Sequence, residues 1–417
     1  MHYELIIVGA GAAGLMAAAQ ASSGGVSVAL LEHNERAGKK LNITGKGRCN
    51  LTNNCDVPTL MANIPTNGRF LYSAFSRFNS QDTMAFFEAL GVPLKTERGN
   101  RVFPVSDNAA DITNALYKLC IKNGVKHIHT NVTGLLIENG EIIGVNTTSG
   151  ELHASSVILA TGGLSYPVTG SDGSGHKMAQ EAGHTIVPPK ASLVPLTASG
   201  KDCRDMMGLS LKNSAIKLTN KKTGKCVYKD FGELLFTHFG LSGPVVLSAS
   251  SHLRDMESGL YSFIIDLKPA LTEEQLEARL LREFAENTNK DLRNLLRSLL
   301  PAKMIGTFIK RTGIQGEKKA HQISKEERRA IIALLKGFVI EIEGFRPISE
   351  AIITSGGVSV KEINPSTMES KLVKGLYFAG EIIDADAHTG GFNLQIAFST
   401  AAAAARGKVQ EVRGKNT

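Results

Sequence analysis

Residues 5 to 32 constrain the fold more than any other stretch. Leu5–Val8 is a short apolar run, LIIV, of the length and composition of a buried parallel strand. It runs into Gly9-x-Gly11-x-x-Gly14, with Ala13 before the last glycine, and then into an alanine-rich helical stretch. VSVALLE follows as a second strand that ends at Glu32, with His33 next. In a dinucleotide-binding unit Gly9 allows the tight turn, Gly11 lets backbone approach a pyrophosphate, and Gly14 lets the helix pack on the strand. The helix start offers N–H groups and partial positive charge to phosphate. Glu32 is placed to accept hydrogen bonds from a ribose diol. A lone GxGxxG is weak evidence, but here strand, glycines, helix, second strand and terminal acid occur in order. A 2′-phosphate is disfavoured beside Glu32, so the spacing points to NAD or FAD.

The chain has 417 residues, too many for one ordinary core of about 100–150 residues. Two or three domains are expected. The formal net charge is +8, with basic residues spread along the sequence and modest clusters at Lys221-Lys222 and Arg328-Arg329. An anionic cofactor on a solvated surface accounts for this balance, and neither nucleic acid nor membrane is expected as a partner. Five cysteines form no Cys-x-x-Cys, so disulfides, zinc and dithiol catalysis are poorly supported and a reduced cytoplasmic setting fits best. Asn50-Leu51-Thr52 is then a chance sequon. The N-terminal stretch around the first apolar run contains Glu4 and lacks a basic leader, so it is not expected to be a signal peptide.

Near the other end, Leu376 to Ala379 forms a strand signal closed by Gly380-Glu381, with Asp384 following. Gly390-Gly391 then opens a small-residue helix near Phe392, Asn393 and Leu394. Such a helix start would point backbone N–H groups at an electron-rich ring edge. A third piece, Val157 to Ala160, runs into Thr161-Gly162-Gly163. It follows a β-meander whose turns are ENGE and TSGE and whose strand near Val132 is placed to hold an adenine.

These three pieces resemble the two-dinucleotide-type FAD flavoproteins. The sequence is most similar to the BaiN-like family, also described as aminoacetone oxidase family FAD-binding enzymes. GKKLNITGKGRCNLTN, GNRVFPVSD, GELLFTHFGLSGP, ITSGGV and TGGFNLQIAF carry that likeness from residue 9 to about 407. One departure is Ser174, where the family pattern has Asp. Between the FAD pieces, SLVPLTAS, SAIKLTNKKTGKCVYK, GELLFTHFGLSGPVVLSAS and GLYSFIIDLKP read as short strands, and FVIEIEGF returns as another. The expected architecture is a Rossmann-like α/β FAD domain from 1–190 and 346–417, a β-barrel substrate domain from 191–270 and 337–345, and a helical insert over 271–336. The resemblance implies that residues Lys40 to Asn50 line the FAD, with Lys40 and Arg48 offering charge. No His or Cys sits in an obvious attachment context, so the FAD is expected to be non-covalent. Cys49 is then a pocket-lining thiol rather than a redox partner.

The insert signals are local. LTEEQLEARLLREF carries Leu276, Leu280 and Phe284 at helical spacing, and Thr272/Gln275 and Ser324/Glu327 form capping-box patterns. No second GxGxxG follows, which favours transient docking of NAD(P)H or an amine donor over a built-in nicotinamide site. Candidate chemistry rests on His238, in FTHFGLSGP, and on His388, in the loop before Gly390. Tyr166 and Arg346 are further pocket candidates, and no metal constellation is evident. The expected activity is hydride transfer through flavin N5 between NAD(P)H or a small organic substrate and an acceptor. Oxidation of a small amine by oxygen is one alternative. An RNA-modifying or RNA-binding flavoprotein is the alternative of another class, opposed by the lack of an aromatic–basic stripe. Oligomeric state is not legible.

Overall fold

A computed structural model describes residues 2–253 and 256–415, with side chains described as far as Gln410. The chain divides into two compact units, Met1–Ser192 with Pro347–Thr417, and Leu193–Arg346.

The first unit is built on a five-stranded, wholly parallel sheet. Its order is Leu376–Phe378, Val157–Leu159, Leu5–Val8, Val28–Glu32, Lys126–His129. The three central strands are buried on both faces, as continuous aliphatic sequence requires. Helix Ala12–Ser23 packs against the C-terminal helix Phe392–Lys415. Alanines dominate that contact: Ala17, Ala18, Ala19 and Ala21 on one side and Ala401–Ala405 on the other are buried, so the axes approach closely. The expected meander forms from Val132–Glu138, Glu141–Thr147 and Gly150–Ala154, with His2–Tyr3 added in parallel. Lys126–His129, which precedes the meander in sequence, closes the edge of the parallel sheet. A small sheet of Thr52–Asn53, Arg101–Pro104 and Leu94–Glu97 and a ribbon of Ile186–Ser192 with Ile353–Val358 complete the unit.

The second unit is a closed six-stranded barrel with helices. The barrel order is Leu196–Ala198, Gly240–Ser242, Cys226–Phe236, Ser210–Asn220, Tyr261–Asp266, Phe338–Phe345. Helices Glu273–Glu286, Ala302–Thr312 and Lys325–Lys336 share one apolar core with it. Leu276, Leu280, Phe284, Phe308 and Ile331 lie in the same cluster as Ile216, Phe263 and Ile340. Barrel and helical insert, separate domains in the sequence reading, therefore form one compact unit. Both capping boxes are made: Gln275 N donates to Thr272 Oγ1 (3.3 Å) and Glu327 N to Ser324 Oγ (3.2 Å), with the reciprocal bonds present. No helix among the described residues is long and apolar enough to cross a membrane.

Candidate functional site

The three glycines of the first turn are required for different reasons. At Gly9, with φ +98°, a Cβ would lie 2.7 Å from Ala160 O, where the next strand passes. At Gly14 a Cβ would collide with the carbonyl of Gly9. At Gly11 a Cβ would meet nothing within 4 Å. The fold alone therefore does not demand glycine at 11, and the open side of the turn is a place for a ligand. Helix Ala12–Ser23 begins there with Gly11 as its N-cap, without a side-chain cap, and its ladder starts with Leu15 N donating to Gly11 O (2.9 Å). The amides of Ala12, Ala13 and Gly14 precede that ladder, as an anion site needs.

Glu32 closes the turn from the end of its strand. Oε2 accepts from Ala10 N (2.7 Å), and Oε1 accepts from Asn34 N and Nδ2 (2.8 Å each). A carboxylate has about four acceptor sites, so three bonds leave room for a ribose hydroxyl. Asn34, absent from the sequence reading, is held in turn by Thr169 O (3.1 Å). His33 is exposed beside it, its carbonyl bonded to His129 Nε2 (2.9 Å). Val132 is buried at the start of its strand, opposite Thr147.

Lys40, Glu381 and Ser165 meet across the sheet end. Lys40 Nζ donates to Glu381 Oε2 and to Ser165 Oγ, both at 2.7 Å. Glu381 Oε1 accepts from Ser165 Oγ (2.6 Å) and Thr354 N (2.8 Å). Burial opposes charge on Glu381, but Lys40 and these donors outweigh it and hold the carboxyl below its ordinary range. Three residues on, Asp384 shifts the other way. Burial raises it, reinforced by Asp386 and opposed by Asn67, whose Nδ2 donates to its Oδ2 (2.8 Å). Asp386 is fully buried and takes hydroxyl bonds from Ser192 (2.6 Å) and Ser355 (2.9 Å).

The Gly390-Gly391 turn sits directly on Thr52, where a Cβ at Gly391 would collide with backbone. The helix from Phe392 has Gln395 N to Gly391 O (3.1 Å) as a first bond, so the amides of Phe392, Asn393 and Leu394 precede the ladder. Asn393 clamps the preceding loop, accepting from Ala387 N (2.9 Å) and donating to Ala387 O (2.8 Å). His388 lies in that loop, its N bonded to Asn63 O (2.9 Å) and its Nδ1 3.4 Å from Asn63 Oδ1. Gln395 anchors the helix in a buried network with Thr52, Thr83, Phe78 O and Ser399. It is one turn beyond Gly391 in TGGFNLQ, a spacing the sequence displays. Gly380 packs its Cα against Ala13, since a Cβ there would lie 2.8 Å from the Ala13 Cβ, so Ala13 is small for the same reason.

The stretch from Lys39 to Gly47 is helical with a break at Thr44–Lys46. Gly38 N donates to Ala10 O (2.8 Å), which ties this helix to the glycine turn. Beyond the break, Arg48 is committed elsewhere. Its guanidinium pairs with Glu97 and with Asp107 (2.6 Å) and stacks 4.2 Å over Phe103. Cys49 is fully buried with φ +58°, and burial pushes its thiol up to about 12. Cys55 is pushed up to about 11, mainly by burial, and neither cysteine is bonded to another. Both are poor nucleophiles at neutral pH. Asn50 Oδ1 and Thr161 Oγ1 are buried with no hydrogen-bond partner among the described residues. Orphaned polar atoms at two of the expected positions, an open Gly11 and a spare acceptor on Glu32 together fit a bound dinucleotide such as FAD. Gly162 and Tyr166 take positive φ in the turn between them.

In the second unit, His238 occupies the turn between Cys226–Phe236 and Gly240–Ser242 and is exposed. The turn is closed by Thr237 N to Gly240 O (2.8 Å), which puts this candidate for chemistry outside the barrel strands. Its ring meets Phe239 edge-on at 5.0 Å, and Arg346 stacks 4.6 Å over the same Phe239. His238 and Arg346 thus share one aromatic platform. Among the described residues no group of three or more His, Cys, Asp or Glu is placed to hold a metal.

Comparison with known proteins bears on this geometry. A family model described as the HI0933-like protein Rossmann domain matches residues 3–407. A Haemophilus influenzae protein named ribosomal RNA dihydrouridine synthase is 33% identical over 410 residues, covering 97% of this chain and 98% of that protein. The 3-dehydro-bile acid delta(4,6)-reductase of Clostridium scindens is 31% identical over 415 residues, covering 96% and 97%. Among solved structures, 3-ketosteroid-delta4-(5alpha)-dehydrogenase from Rhodococcus jostii superposes with a TM-score of 0.55 at 15% identity, covering 98% and 97%. That last likeness concerns the fold.

Proposed function

The chain belongs to the HI0933-like Rossmann family and is a flavoprotein oxidoreductase of it, and on that premise we propose that it reduces a carbon–carbon double bond conjugated to a carbonyl, with NAD(P)H as transient hydride donor. The observation that carries this reading is chemical. Two relatives matched over nearly their whole length are named for a uridine and for a bile acid with a 3-oxo group. Those substrates differ in size, charge and polarity. What they share is an alkene conjugated to C=O, which accepts hydride at the β-carbon and a proton at the α-carbon.

Bound FAD would supply that hydride from N5, having received it from NAD(P)H. The rest falls to this chain. The open Gly11 turn and the amides of Ala12–Gly14 would hold the pyrophosphate, and Glu32 the ribose. His388, in the loop clamped by Asn393 before the Gly390-Gly391 turn, is the proton-carrying group this reading assigns to the α-carbon. Uridine in ribosomal RNA is the preferred substrate, because the relative that covers 97% of this chain at 33% identity is named for it. A steroid-like dienone is the second reading, favoured by the Clostridium relative.

Anaerobic titration of the purified holoprotein with NADH and NADPH tests the first half. The visible flavin band is expected to bleach. Adding unmodified ribosomal RNA or a 4,6-dien-3-one steroid should then restore it, with dihydrouridine or the saturated ketone as product. A band that neither nucleotide bleaches, or that neither acceptor restores, would overturn the proposal.

A further inference from the structure

The excess positive charge is not spread over the folded protein. Unit Met1–Ser192 with Pro347–Thr417 has 22 Lys and Arg against 21 Asp and Glu, a net of +1. Unit Leu193–Arg346 has 25 against 18, a net of +7. The barrel unit thus carries nearly all of the chain's +8.

Within that unit the charge gathers on the hairpin Ser210–Asn220/Cys226–Phe236. Lys212, Lys217, Lys221, Lys222, Lys225 and Lys229 are all exposed. Two are neutralised: Lys221 by Glu341 (2.9 Å) and Lys222 by Glu257 (2.6 Å). Lys212, Lys217, Lys225 and Lys229 make no ion pair among the described residues. The register sharpens this, because Lys217 stands directly opposite Lys229. Like charges at facing positions of an antiparallel pair are destabilising. Lysines often guard sheet edges against aggregation, but Ser210–Asn220 is paired on both sides, with Cys226–Phe236 and with Tyr261–Asp266. Lys217 guards no edge. Nor is a carboxylate at hand on that face: Asp266 is bound to Lys336 (2.6 Å), and Glu233 accepts from Ser210 Oγ (2.6 Å). Two residues along from Lys229, on the same outward face, Phe231 is 50% exposed. A flat apolar ring among unpaired ammonium groups is the combination that single-stranded nucleic acid uses, phosphates on the cations and a base on the ring.

We propose that this face, Lys217, Lys229 and Phe231, is where the protein grips ribosomal RNA, phosphates bound by the lysines and an unstacked base on Phe231. The inference rests on the RNA reading of the function given above. It concerns only how the RNA is held.

The test uses full-length holoprotein and deproteinised, unmodified ribosomal RNA, with affinity measured between about 50 and 200 mM salt. FAD content and far-UV spectrum report that each variant is folded. Lys217→Ala/Lys229→Ala should lower the slope of log K against log salt by about 1.4–1.8, so that the fourfold rise in salt costs roughly tenfold less affinity than in the parent. Lys217→Arg/Lys229→Arg should restore it. Phe231→Ala should weaken binding by about tenfold with the slope unchanged. A folded alanine double variant with the parent's slope and affinity overturns the proposal while the RNA reading stands, provided the parent still makes dihydrouridine. A parent that neither retains RNA nor makes dihydrouridine removes the RNA reading itself, and this inference with it. Lysine-dependent binding to phosphatidylglycerol vesicles in place of RNA would reassign the face to a membrane and also overturn it.

Discussion

The two units handle negative charge by opposite means. In the sheet unit the charges balance, and the buried ones are committed to partners: Glu32 to Ala10 and Asn34, Lys40 to Glu381, Asp386 to Ser192 and Ser355. Its anion site is made of backbone, an open glycine and the first amides of a helix, and it needs no lysine. In the barrel unit the excess is carried by exposed side chains, several unpaired. The difference suits a small anion held by geometry in the first unit and, on the RNA reading proposed above, a long polyanion held by side-chain charge in the second. Substitutions should therefore fail differently in the two places, by loss of fold or cofactor in the first and by altered salt dependence in the second.

The largest effect is expected at Gly14. A Cβ there has only the Gly9 carbonyl to displace, and that carbonyl is fixed by the turn. Gly14→Ala should yield little soluble protein and no flavin, read from the ratio of visible to protein absorbance. A yellow Gly14→Ala protein with the parent's melting temperature would contradict the packing described. Gly11→Ala is its counterpart. Nothing in the protein opposes that methyl group, so the FAD-free form should melt as the parent does. Cofactor affinity should fall by about 1–3 kcal/mol, the usual penalty of crowding a packed contact, measured by flavin fluorescence titration.

Next in size is the Lys40–Glu381 pair. Lys40→Met leaves a mostly buried carboxylate facing only Ser165 and Thr354, and losing one partner of such a pair costs about 3–5 kcal/mol. Lys40→Met with Glu381→Gln should recover most of that loss in a thermal melt. The acid limb carries a sign. The folded pKa of Glu381 is depressed, so its contribution is present above the unfolded value of about 4.3 and is lost as pH falls through the depressed value. Asp384 is raised, so its contribution is present below about 3.9 and is lost as pH rises through its folded value. Asp384→Asn should therefore raise the melting temperature more at pH 7 than at pH 4. Equal shifts at both would show that Asp384 is not strained by burial.

What the sequence revealed follows the range of the interactions. Strand, glycine turn, helix and Glu32 are a local code, and the capping boxes at Thr272 and Ser324 are read three residues at a time. Both were visible in the sequence, as were the meander turns and the barrel strands. The fates of the two basic residues in GKKLNITGKGRCN were not. Lys40 finds Glu381 at a separation of 341 residues, and Arg48 finds Glu97 and Asp107 at 49 and 59. Both looked equally suited to a phosphate, and only the tertiary path decides. The exposure of His238 was hidden for a related reason: its place in the turn before Gly240 depends on how the flanking strands pair. The charge was missed at a third level. Counted along the chain the lysines look dispersed, and only the unit boundaries at 192/193 and 346/347 divide them into +1 and +7.

The smallest effect gives the sharpest separation. Lys217 and Lys229 face one another without a carboxylate, so Lys217→Glu should replace a repulsive cross-strand pair by an attractive one. In the RNA-free protein that should stabilise the barrel by about 0.2–1 kcal/mol, a slight rise in melting temperature that fades with added salt. The same change should weaken retention of ribosomal RNA and flatten its salt dependence by more than Lys217→Ala does. A substitution that improves the fold while damaging binding identifies a residue kept for a partner rather than for stability. Were Lys217→Glu to lower the melting temperature, or to leave RNA retention untouched, the repulsion would have no functional meaning. The barrel's +7 would then be solvated surface, no different in kind from the balanced charge of the sheet unit.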